Sequence, residues 1–134
     1  MIIDDFKKRK DSNGIIHLPD VDQSLEKIFS AYLKNSKKNY NDDEVKLLPY
    51  ASQRNPHKSE WEMRIKSFLR FRDYLSKKNK GLNILDVGCG NGWLIGQLAK
   101  ELDHEYFGID IVKTELEKAA RLFNRENIHF IYGD

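Results

Sequence analysis

The chain of 134 residues holds a single cysteine, three prolines, no internal repeat and no low-complexity tract. Cys89 alone closes no disulfide within the chain, so a reducing, cytoplasmic setting is expected. No apolar run nears the roughly 18 residues that a membrane-crossing helix requires, which excludes a membrane partner on this reading. The opening stretch MIIDDFKKRKDSN is charged throughout and has no apolar centre, so it is not expected to be a signal peptide. His17, His57, His104 and His129 show no metal-ligand spacing, and no metal is expected. Basic runs such as KNSKK and KKNK lack the interleaved aromatics of a single-strand groove, so there is no nucleic-acid signature.

What is present describes a globular domain, or part of one, with 40% hydrophobic and 33% charged residues. The formal charge of +2 conceals an imbalance: residues 1–80 carry 18 Lys and Arg against 12 Asp and Glu, and residues 81–134 carry 5 against 9. Solvated lysine-rich helix faces account for the basic half, with an anionic partner as the alternative.

The patterning also divides near residue 80. Residues 1–80 read as a mainly helical extension with irregular loops. GIIHLP is a candidate short strand, stopped by Pro19. DQSLEKIFSAYLKN repeats Leu25, Ile28, Phe29, Tyr32 and Leu33 at helical spacing, with Asp22 or Ser24 as cap. SKKNYNDDE reads as a polar break and VKLLPYASQRNPHK as an ordered loop, because Pro49 and Pro56 oppose a regular helix. Ser59 and Glu62 have the spacing of a capping box at the start of a long helix with Trp61, Ile65, Phe68, Leu69 and Leu75 on one face. Lys77 to Gly81 end that helix. Tyr50, Arg54 and Arg64 read chiefly as anchors of this extension, with closure over a ligand as the alternative.

From residue 81 strands and helices alternate. NILDV, EYFGIDI and IHFIYGD read as strands, and NGWLIGQLAKEL and KTELEKAARLFNR as the helices between them. That alternation predicts right-handed crossovers and a parallel α/β sheet, with ligands beyond the carboxyl ends of the strands. The unusual residues, Gly88 to Gly92, Asp110 and Asp134, all fall at those ends.

In Gly88-Cys89-Gly90-Asn91-Gly92-Trp93 the glycines permit positive φ and close approach of backbone to a ligand, and the following helix favours an anionic group at its start. A nicotinamide dinucleotide fits poorly. Trp93 stands where G-x-G-x-x-G/A needs a small residue, and Asp86 would repel a pyrophosphate. A ligand with a cationic end suits Asp86. Cys89 has no partner base in view and reads as a small filler.

ILDVGCGNGWL, the acidic Asp110 in YFGIDIVKTELEKA and Asp134 closing IHFIYGD together resemble the three leading motifs of the class I, seven-stranded Rossmann-like S-adenosylmethionine-dependent methyltransferases. The resemblance covers about residues 81–134, the first half of such a domain, with only strands one to three present. It implies S-adenosylmethionine as cofactor and methyl transfer to an acceptor, by default a small molecule. Asp86 would meet the methionine ammonium, directly or through water. The backbone of Gly88, Cys89 and Gly90 would lie along the methionine, and Gly92 would permit close packing at the helix start. Asp110 would accept from the ribose hydroxyls, Ile111 would pack on the adenine face and Asp134 would accept from the adenine amino group. Catalytic groups are expected beyond residue 134, in roughly another 80–120 residues of a complete domain. The alternative is a catalytically incomplete cofactor-binding or interaction module. In the family's strand order the first strand is central. Here its free edge is expected to be covered partly by N-terminal helices and partly by a second copy of the chain.

Overall fold

The computed structural model describes residue 5, residues 9–78 and residues 81–134. Its elements in chain order are β1 (Ile15–His17), α1 (Gln23–Asn35), α2 (Asp42–Leu47), α3 (Lys58–Ser76), β2 (Asn83–Val87), α4 (Trp93–Ala99), β3 (Glu105–Asp110), α5 (Lys113–Leu122) and β4 (Ile128–Tyr132). Two residues of the expected α3 stop, 79 and 80, lie outside the described residues.

The sheet runs in the order β1-β4-β3-β2, and every pairing is parallel. Crossover helices α4 and α5 connect β2 to β3 and β3 to β4, as the alternation predicts. Ile95 and Leu98 of α4, Leu116 and Ala119 of α5, and Tyr106, Ile128 and Phe130 of the strands form the centre of the core. Alongside it, α3 buries Trp61, Phe68 and Leu75, one residue every second turn.

The N-terminal extension supplies a strand as well as helices. Asp11 Oδ1 accepts from the amides of Asn13 and Ile15, turning the chain into β1, and Ile15 and Ile16 are fully buried beside β4. Two local expectations are corrected. Helix α3 begins at Lys58 after His57, with no side-chain cap, so Ser59 and Glu62 form no capping box. The chain turns a step earlier, where Asn55 Oδ1 accepts from His57 N and Asn55 O from Lys58 N. The complete capping box belongs instead to Asn41 and Glu44, inside what the sequence presents as a polar break. Asp42, Asp43 and Glu44 then place negative charge at the positive end of α2.

At the other side of the sheet, among the described residues, β2 pairs only with β3. Leu85 and Val87 are 60% and 76% exposed and line a cavity together with Leu25, Phe29 and Tyr32 of α1. Among the described residues no helix is long and apolar enough to cross a membrane.

Candidate functional site

The residues singled out in the sequence converge at the carboxyl ends of β2, β3 and β4. The glycine loop is stitched to the neighbouring strand: Gly88 N and Cys89 N both donate to Ile109 O, at 2.8 and 3.0 Å. Gly90 N donates to Asp110 Oδ2 at 2.8 Å, and Asp110 Oδ1 accepts from Val112 N at 2.8 Å. Gly92 N donates to Cys89 O, and Trp93 N to Asn91 Oδ1. Five amides of the loop are thus committed to the protein itself. That use differs from a phosphate cradle, in which such donors point at the ligand. Asp110 is clamped by two amides, yet a carboxylate retains lone pairs on both oxygens for further donors.

Gly92 lines neither of the two cavities that open at the loop. It has φ 75°, and a Cβ there would lie 2.9 Å from Ala119 Cβ. Cys89 is buried, and burial together with Asp110 and Asp86 pushes its thiol well above the usual range. It packs beneath the loop, where a Cβ on Gly108 would come within 2.8 Å of its Sγ. The filler reading suits this inert thiol.

Asp86 is half-buried on β2, opposite Gly108 in the register, and no described side chain or amide donates to its carboxylate. Burial, and then the charge of Asp110, raise its carboxyl above the ordinary value. It lies outside the walls of both cavities that open at the loop. Glu115, which sequence reasoning passed over, lines both. It is 5% exposed, with its carboxyl raised by burial and by Asp110 against the opposing effect of Lys118, whose Nζ is 3.2 Å from Oε1. Its only sequence signal was a charge at a helix position otherwise suited to the core.

The larger cavity, about 610 Å³, has Gly88, Gly90, Asp110, Ile111 and Asp134 along one side. Leu25, Phe29, Tyr32 and Leu33 of α1 stand across from them. The repeat of apolar residues in α1 pointed to a core face, but the helix buries none of them. It overhangs the strand ends and is pinned there by polar contacts. Glu26 accepts from Tyr132 Oη at 2.9 Å and from Lys113 N at 2.8 Å, and Asp134 Oδ2 accepts from Asp22 N at 3.0 Å. Arg64 reaches the smaller cavity, whereas Tyr50 and Arg54 reach neither. No group of His, Cys, Asp and Glu suited to a metal occurs among the described residues.

Residues 78–134 match the family described as methyltransferase domain. Two curated relatives overlap this region. An O-methyltransferase of Penicillium expansum is 39% identical over 59 residues, covering 41% of this chain and 21% of that protein. The protein-L-isoaspartate O-methyltransferase of Pyrococcus abyssi is 30% identical over 63 residues, covering 45% of this chain and 29% of that protein. The chain thus spans less than a third of either. In structure, the magnesium protoporphyrin IX methyltransferase of Synechocystis, solved with bound S-adenosylmethionine, covers 87% of this chain and 57% of its own, at 18% identity and a TM-score of 0.61. The chain resembles the class I, Rossmann-like methyltransferases, in sequence over residues 78–134 and in fold over most of its length.

Proposed function

We propose that the chain binds S-adenosylmethionine at the ends of β2, β3 and β4 and serves methyl transfer to an acceptor, by default a small molecule. The observation that supports this most is the set of acceptors. Carboxylates gather beside a glycine loop whose amides are already engaged, a lining that attracts a cation and hydroxyl donors rather than a polyphosphate. Residues 81–134 supply the cofactor half-site, and residues 1–80 supply its cover through α1 and α3.

Asp86, which lines neither cavity, meets the ammonium through water, and Gly88, Cys89 and Gly90 present backbone along the methionine. Asp110, already oriented by two amides, accepts from the ribose hydroxyls, Ile111 packs on the adenine face and Asp134 accepts from the adenine amino group. When bound, the cofactor supplies an electrophilic methyl and a good leaving group. The protein's part is orientation and exclusion of water, to which the apolar face of α1 contributes. A reducing, cytoplasmic setting suits the lone thiol of Cys89.

Calorimetric titration with S-adenosylmethionine and S-adenosylhomocysteine tests the reading; both are expected to bind, and no heat change at millimolar ligand would overturn it. The same chain assayed for methyl transfer separates an enzyme from a cofactor-binding module. Turnover is expected to be absent, because no acceptor-side residues are identified in it. The edge of β2, paired only with β3 among the described residues, supports self-association through a second copy. Light scattering is expected to show mass rising with concentration, and a strict monomer at every concentration would count against it.

A further inference from the structure

The smaller cavity, about 200 Å³, opens beside the larger one and shares Leu33, Gly88, Gly90 and Glu115 with it. Its outer wall comes from the N-terminal extension and is basic. Lys38 Nζ lies 3.3 Å from Glu60 Oε2, and Arg64 Nη2 lies 2.7 Å from Glu60 Oε1. Two cations therefore share one carboxylate, and the wall keeps a surplus positive charge. Glu115, paired with Lys118 at 3.2 Å, also lines the cavity. A lining that holds Lys38 and Arg64 together with the carboxylates of Glu60 and Glu115 matches a zwitterion.

Arg64 is held in place by aromatic packing. Its guanidinium lies 4.7 Å from the ring centre of Trp61. Trp61 is buried, donates to Tyr40 Oη at 2.9 Å and meets Trp93 edge-on at 5.2 Å. Trp93 opens the helix that follows the glycine loop. The position of Arg64 is thus tied to that of the loop through two indole rings, and its planar fork matches a carboxylate.

We propose that Arg64, assisted by Lys38, holds the α-carboxylate of the cofactor's methionine end. This inference rests on the reading of the larger cavity as a site for S-adenosylmethionine, and it makes the N-terminal extension part of the cofactor site.

The test compares two ligands on the full chain by calorimetry: S-adenosylhomocysteine, which has the amino-acid end, and 5′-methylthioadenosine, which lacks it. Arg64→Gln is expected to weaken S-adenosylhomocysteine by about tenfold or more, the scale of a lost charge-assisted contact, and to leave methylthioadenosine unchanged. Arg64→Lys restores part of the loss. Glu60→Gln, which releases both cations, tightens S-adenosylhomocysteine alone. Unchanged binding of S-adenosylhomocysteine by Arg64→Gln overturns the inference, and so does an equal loss for both ligands, which marks a purely structural role. Wild-type chain that binds neither ligand overturns the cofactor reading and this inference with it.

Discussion

Gly92→Ala is expected to be the most destabilising small substitution in the site, lowering stability by about 2–5 kcal/mol. Two effects combine. The residue has φ 75°, where an L side chain adds about 1–2 kcal/mol of strain. The new Cβ would also sit 2.9 Å from Ala119 Cβ and 2.9 Å from two atoms of the Phe130 ring, and overpacking of a core typically adds about 1–3 kcal/mol. Neither neighbour can yield easily, since Ala119 is in α5 and Phe130 in the middle of the sheet. A domain of this size has a total stability of about 5–15 kcal/mol, so the melting temperature should fall by roughly 10 °C or more. Gly88→Ala is the control. Gly88 has φ 77° but open space around it, so only the backbone strain applies. Thermal unfolding of the two variants side by side decides the matter, and equal losses would show that the contact with α5 and β4 is not what requires glycine at residue 92.

Asp110→Asn is expected to reduce affinity for S-adenosylmethionine by about 100-fold or more. An asparagine accepts at one end only, so it cannot serve both Gly90 N and Val112 N, which now lie 2.8 Å from separate oxygens. The ribose would meanwhile lose hydrogen bonds to a charged group, each worth about 1.5–3 kcal/mol, where 1.4 kcal/mol is a factor of ten. A pH effect accompanies the loss. Asp86 and Glu115 have raised carboxyls, first through burial and then through the charge of Asp110. In the free protein such groups retain protons that the unfolded chain has released. Their contribution to stability is therefore full below the ordinary carboxylate value and declines as pH rises through the elevated one. Attraction for a cationic ligand follows the opposite course, because it needs both groups ionised. Removing the charge of Asp110 lowers both carboxyls, so this interval should move to lower pH. Chemical denaturation across the acid range reads that movement without ligand, and an interval that stays in place would show that the carboxylates do not sense one another.

The second half of the chain was legible because its signals are local. Alternation of strand and helix, a glycine cluster directly after β2 and acids at the ends of β3 and β4 identify a parallel sheet and the end of it where a cavity opens, within one stretch of sequence. The first half depends on partners far away in the chain. The repeat of Leu25, Phe29 and Tyr32 identifies a helix, yet a repeat cannot say whether its apolar face meets a core or overhangs a cavity. GIIHLP shows a strand but not that β4 receives it. Short α2 offers one buried residue, Val45, and so has no periodicity to detect. Glu115 sits at a position that the helical pattern assigns to the core, and its charge acquires meaning only once the glycine loop is folded against it.

One pairing also sets an order in time. The contact between Asp22 and Asp134 spans 112 residues, and β1 lies beside β4 through a similar separation. A ribosome adding about 5–20 residues per second releases Ile15 and Ile16 roughly 6–22 s before the strand that shelters them exists. The crossover units, whose contacts are nearer in sequence, can close first. One edge of the sheet is therefore made well before the strand it pairs with, and in that interval two buried isoleucines are open to chaperones and proteases.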